Sequence, residues 1–366
     1  MKQIIVLLFT ALALVACSGN GGSNGPNLND FDRKQMLSDW SDIIIASYEA
    51  YNVETTKLES TAVDFQASPS LETLNALTSQ WENSYIVWQH VSMFEIGPAS
   101  DVNLRNSTNI YPTDTTAIHQ NILRESMKFT LPSTFDEQGF PALDFLLFGL
   151  ASSPEATVEF YQTNPAYSDY LVSITDHMND LSTTVLSEWS NIYGDEFVEN
   201  SENMASGSVD MFTNDFIFYY EKAFRAGKIG NPAGVFSSDA LPELVEARYH
   251  GNFSKTLTLE ALNATQLFFN GQSHYTETRG ESFASYLDYL NTMKEAADLS
   301  TLINDKFDDS RSYVQTLDED FVAVIENDKF DLIRAFDLLQ QNVVLMKVDM
   351  LQALGINVDY VDADGD

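Results

Sequence analysis

The densest chemistry in this sequence lies in one short segment, Gln138-Gly139-Phe140-Pro141-Ala142-Leu143-Asp144-Phe145-Leu146-Leu147-Phe148-Gly149. Its Gly-x-Pro opening predicts a short helix, because proline lacks only an N–H that a first turn leaves unpaired anyway. Asp144 follows Pro141 by three residues, which places it near the positive end of that helix. Two roles are open to it: a helix-start carboxylate with Leu143, Leu146 and Leu147 in the core, or an acid that holds a ligand. The histidines are His90, His119, His177, His250 and His274. None of them pairs at His-x-x-x-His spacing and no His-Glu-x-x-His occurs, so a helix-borne zinc pair is excluded. A structural or surface role is favoured for each, although His90 and Glu95 flank the Gly97-Pro98 exit and are placed to approach Asp144. No Gly-x-Ser-x-Gly elbow offers a serine nucleophile. Arg105, Lys222, Arg225 and Lys228 stand out among so many acids. Facing buried carboxylates they would close a polar network; facing a cavity they would attract an anionic ligand.

The elements that must position these residues read as helices. Trp40, Ile43, Ile44, Ser47, Tyr48 and Tyr51 recur at helical spacing, as do Leu71, Leu74, Leu77, Trp81, Tyr85 and Trp88. Leu332, Ala335, Phe336, Leu339, Val343, Met346 and Met350 form a third such series. No proline follows Pro242, which suits long antiparallel helices. Breaks are expected at Gly97-Pro98, from Gly149 to Pro154, from Gly230 to Gly234 and at Gly271. A further break over 190–207, with Gly194, Asn200 and Gly207, divides the body into a first domain, 28–200, and a second, 201–366. The fold class is therefore all-α, two helical-bundle halves packed together, each resembling a four-helix bundle.

Composition narrows the functions. The chain has 366 residues, with 19 Lys+Arg against 54 Asp+Glu and a formal net charge of −35. Such a surface repels nucleic acid, which is bound through its phosphates. Hydrophobic residues make up 44%, too many for a disordered chain. The single cysteine excludes a disulfide framework and Cys-rich zinc or iron–sulfur centres. That cysteine has another use. Residues 1–16, MKQIIVLLFTALALVA, read as a signal peptide. Leu14-Val15-Ala16-Cys17 resembles a lipobox, in which Cys17 is the lipidated residue. Residues 17–27 then form the lipidated cysteine and a flexible Gly/Ser/Asn tether. The expected address is an outer-membrane lipoprotein with its body in the periplasm, held to the membrane through Cys17.

Four segments carry a family resemblance. Residues 138–149 resemble the signature of the imelysin family, Gly-x-His-x-x-Glu followed by an apolar stretch ending in Gly. Trp81 to Trp88 with Phe94-Glu95-Ile96-Gly97-Pro98-Ala99 is similar to the family's first-domain helix and its exit. Tyr220 to Gly230, then Pro232 and Gly234, resembles the helix and loop that open the second half. Leu354-Gly355-Ile356 through Asp362-Ala363-Asp364-Gly365-Asp366 resembles the family's closing motif. The resemblance implies two helical domains in a bacterial lipoprotein or periplasmic protein, a signature in a cleft between them, links to iron uptake and a reported peptidase activity.

The signature positions here are Gly139, Pro141 and Asp144, with proline in the histidine's place and aspartate in the glutamate's. Proline offers a metal no side-chain donor, and a catalytic zinc needs about three protein ligands. Glu95, Asp144 and Glu221 lie in the resembling segments and would offer oxygen ligands to a divalent or ferric ion. Arg105, Lys222, Arg225 and Lys228 complete the expected cleft. The expected function is a non-enzymatic, lipid-anchored envelope protein linked to metal (iron) acquisition, with a metal ion or an envelope transport component as partner. A metallopeptidase and a scaffold docking a protein or polysaccharide are the alternatives. The tail Asp362–Asp366 starts like a calcium loop without the later Glu, and is expected to be a terminal cap.

Overall fold

The computed structural model describes residues 31–294 and 298–360. Cys17, the tether and the Asp362–Asp366 tail lie outside the described residues. Among the described residues the secondary structure is helical without strands; Gln272 and Arg279 form one isolated bridge. Among these residues no helix is long and apolar enough to cross a membrane.

Helix α1 (Arg33–Ala67) is the longest. Asp32 caps it, its side chain accepting from the Gln35 amide at 2.9 Å. The sequence series from Trp40 to Tyr51 is its buried face. That face packs against α2 (Leu71–Trp88) and α4 (Pro165–Glu188). Between these two come a run of short helices and α3 (Gly139–Asp144), which carries the signature. The later chain supplies α5 (Ser208–Phe218), α6 (Ser254–Phe269), α7 (Phe283–Lys294), α8 (Leu299–Val314) and α9 (Phe330–Val344). Helix α9 packs on α8 and on the segment Tyr219–Gly230 that prolongs α5.

Early and late helices share an aromatic seam. The Trp40 ring lies 5.1 Å from Phe212, 5.5 Å from Phe268 and 4.6 Å from Phe283, centroid to centroid. All four are buried. Beside them, Arg33 meets Asp210 at 3.2 Å in a buried ion pair.

The expected breaks at Gly97, Gly149–Pro154, Gly230–Gly234 and Gly271 fall at helix ends or turns. Gly194 departs from expectation. The helical path from α4 runs on through a π-helical stretch, Trp189–Tyr193, and a further turn, Gly194–Glu199. A Cβ at Gly194 would meet the Trp189 carbonyl oxygen at 2.7 Å and the Ser41 Oγ at 3.1 Å. Its glycine therefore serves close helix packing against α1. The actual interruption is the loop after Asn200.

Candidate functional site

Helix α3 is built on the signature glycine. Gly139 has φ +74°, and a Cβ there would sit 2.1 Å from the Thr108 carbonyl oxygen. Only glycine combines that backbone with that approach. The turn brings Phe140 under Tyr85, their rings parallel with centroids 4.2 Å apart, and the Trp81 indole N–H donates to the Phe140 carbonyl at 3.3 Å. Pro141 is buried.

Asp144 is the last residue of α3 and is 2% exposed. It does not serve the start of its own helix, contrary to the sequence expectation. Its two carboxylate oxygens each accept a backbone N–H from a distant turn, Tyr249 and His250, both at 2.9 Å. Burial pushes its carboxyl up to about 7, against the pull of those two amides. No imidazole reaches it: the His250 ring stacks on Trp81, with its Nε2 2.9 Å from Glu82. Nor does His90 approach, since its Nε2 lies 2.6 Å from Glu260. A proline without a donor and an aspartate with both oxygens engaged do not fit a metal-binding pair.

Glu95 is placed by the Gly97-Pro98 turn. One carboxylate oxygen accepts the Arg105 N–H at 2.9 Å, while its own N–H donates to Asp215 at 2.8 Å. Burial raises the Glu95 carboxyl to about 7, with Arg105 opposing. Arg105 donates from Nε to the Ser92 carbonyl at 2.8 Å and from Nη2 to both oxygens of Asp215. Burial works against its charge, but Asp215 and Glu95 outweigh that and raise its pKa.

The remaining expected residues lie on Tyr219–Gly230, a twelve-residue π-helical stretch. Such wide turns are rare and gather at functional positions. Glu221, fully buried, is held by Lys222 at 2.9 Å, Lys347 at 3.1 Å and the Tyr360 hydroxyl at 2.8 Å. Arg225 is hydrogen-bonded to Gln340 and lies 4.3 Å over the Phe336 ring. Lys228 pairs with Glu246; both are almost fully buried, and burial lowers the lysine's pKa despite its partner. Glu246 also accepts from the Tyr85 hydroxyl at 3.0 Å and Asn109 at 2.8 Å.

The expected metal trio does not assemble. Glu95, Asp144 and Glu221 serve three different networks. Among the described residues, the one cluster of three metal-capable side chains is His90, Glu260 and His274. The cations do share a feature. Arg105, Lys222 and Lys228 line a cavity of about 300 Å³ together with Gln89, Ser92, Asn109, Tyr111 and Tyr219. Its walls come from 88–111 on one side and 218–231 on the other. Arg225 is not among its lining residues.

Sequence reasoning missed Asp215, Glu246, Lys347 and Tyr360. One signal was present: Asn214-Asp215 interrupts the apolar run Met211–Phe218, and a buried acid there needs a buried cation.

The helical body thus holds a cavity between its early and late segments. The chain belongs to the imelysin family, whose profile (Peptidase M75, Imelysin) matches residues 44–342. An imelysin-like protein from Psychrobacter arcticum superposes with a TM-score of 0.71 at 17% identity, covering 90% of this chain and 97% of that one. A protein described as an iron-regulated protein A precursor, from Parabacteroides distasonis, gives a TM-score of 0.73 at 14% identity, covering 91% and 97%. A search of curated proteins finds no match.

Proposed function

We propose that this chain is a lipid-anchored, non-enzymatic binding protein of the cell envelope that serves iron acquisition, with its body in two halves, 28–200 and 201–366. The observation that carries the reading is the cavity walled by 88–111 and 218–231, whose polar groups are fixed in advance by ion pairs. Fixed donors and acceptors around about 300 Å³ suit a small polar ligand. An iron–carboxylate chelate is the form of cargo that matches donors such as Asn109 and Tyr111. The lipobox at Cys17 and the iron-regulated structural neighbour support the setting. Pro141 and the amide-bound Asp144 speak against peptidase chemistry at the signature.

Calorimetry on the full chain with ferric citrate, with citrate alone and with a ferrous salt tests this. Saturable binding of ferric citrate is expected, lost in Gly227→Leu, which fills the cavity from its wall. Absence of binding by every form of iron removes the acquisition role. Chelator-sensitive cleavage of an unfolded protein substrate would favour the peptidase reading.

A further inference from the structure

We propose that His90, Glu260 and His274 form a binding site for a divalent transition metal ion, separate from the cavity and the signature. Each residue offers one ligand atom, and these atoms all lie within 4.8 Å of one another. Three atoms so spaced all lie within about 2.8 Å of a common point, against about 2.0–2.1 Å for a zinc–imidazole bond. Closing the site therefore takes less than about 1 Å of movement per ligand.

The three residues come from three places that the fold brings together. His90 sits on the turn that follows α2 and is 4% exposed. Glu260 lies mid-way along α6, its carboxylate oxygen also accepting from Asn263 at 3.1 Å. His274 lies on the loop between α6 and α7. That loop is not slack. Gly280 donates to the Gly271 carbonyl at 2.9 Å, Ser273 to that of Thr278 at 3.2 Å, and the Glu281 N–H reaches Asp39 on α1 at 2.7 Å.

The chemistry of the set selects the ion. Two imidazoles with one carboxylate suit zinc, ferrous iron and their neighbours, whereas calcium and magnesium prefer all-oxygen shells. The His90 and His274 rings lie 4.2 Å apart, centroid to centroid, beside a single acid. A cation seated there would replace the 2.6 Å hydrogen bond that joins His90 Nε2 to Glu260. Asn263 supplies the kind of outer hydrogen bond that orients a ligating carboxylate. The buried His90 anchors the inner side; the exposed His274 leaves the outer side open to water or to an exchanging ligand.

The test is calorimetric titration of the full chain with zinc in the presence of excess magnesium, which occupies the acidic surface. Binding of one zinc per chain is expected. His274→Ala should weaken it more than about 100-fold, since even outer-sphere changes cost 10–100-fold. Glu260→Gln should weaken it similarly, and Co(II) should give visible absorption that both variants lose. His274 is exposed, so its removal leaves folding intact; circular dichroism confirms that before titration. No zinc binding against magnesium, or binding that His274→Ala and Glu260→Gln leave unchanged, overturns the proposal. Ferric citrate binding is measured on the same His274→Ala protein. Its retention there, with zinc lost, separates this site from the cavity.

Discussion

Arg105 and Asp215 stand 110 positions apart in sequence and meet through Nη2, which lies 3.1 and 3.2 Å from the two carboxylate oxygens. Both side chains are about 13% exposed. The pair ties the exit of the first long helical pair to α5. It also orients Glu95, which touches the backbone of one partner and the side chain of the other. Arg105→Met should therefore lower stability by about 3–5 kcal/mol, because it strands buried carboxylates. Urea denaturation at neutral pH measures the loss.

Glu95 makes stability depend on pH. Its folded-state carboxyl titrates near 7, against an ordinary value of 4.5. The native state thus binds a proton more tightly than the unfolded chain, and stability falls as pH rises from about 4.5 to about 7. Asp144 acts in the same direction between 3.8 and about 7. Glu95→Gln should shallow this slope and raise stability at pH 8 by about 1 kcal/mol or more. Thermal unfolding of both proteins at pH 5.5 and 8 provides the comparison; identical slopes would refute the assignment.

Gly139→Ala should be among the costliest single-methyl changes in the chain. It combines a left-handed backbone with a Cβ placed 2.1 Å from a carbonyl oxygen. A loss of about 3 kcal/mol or more is expected, since strain and a backbone clash add. If the variant unfolds at the wild-type temperature, the tight approach of α3 to Thr108 is not what the glycine serves.

Lys228 and Glu246 offer a cleaner separation of charge from packing. Lys228→Met alone leaves a buried carboxylate without its cation and should cost about 3–5 kcal/mol. Adding Glu246→Leu should recover much of that loss, because the second change removes the stranded charge. The recovery is limited by Tyr85 and Asn109, which lose their shared acceptor. A double variant no more stable than the single one would show that those hydrogen bonds dominate.

The helices were legible because their apolar residues repeat at the helical period, as from Trp40 to Tyr51 and from Leu332 to Met350. The family was legible from short ordered segments, and the profile match over 44–342 agrees with it. Long-range pairing was not legible. Glu95, Asp144 and Glu221 looked alike on the page, yet one faces an arginine backbone, one a turn's amides and one two lysines and a tyrosine. The cluster at His90 was invisible for the same reason. His90 lies 170 positions before Glu260, and only the docking of α6 and its following loop brings them together. Gly194 misled because glycine marks both chain breaks and tight helix contacts.

Asp144 is tied to a part of the chain far from its own helix. With both oxygens clasping the main chain of a turn 105 residues away, it works as a rivet joining distant parts of the body. Substitution there should be felt first as a loosening of the molecule.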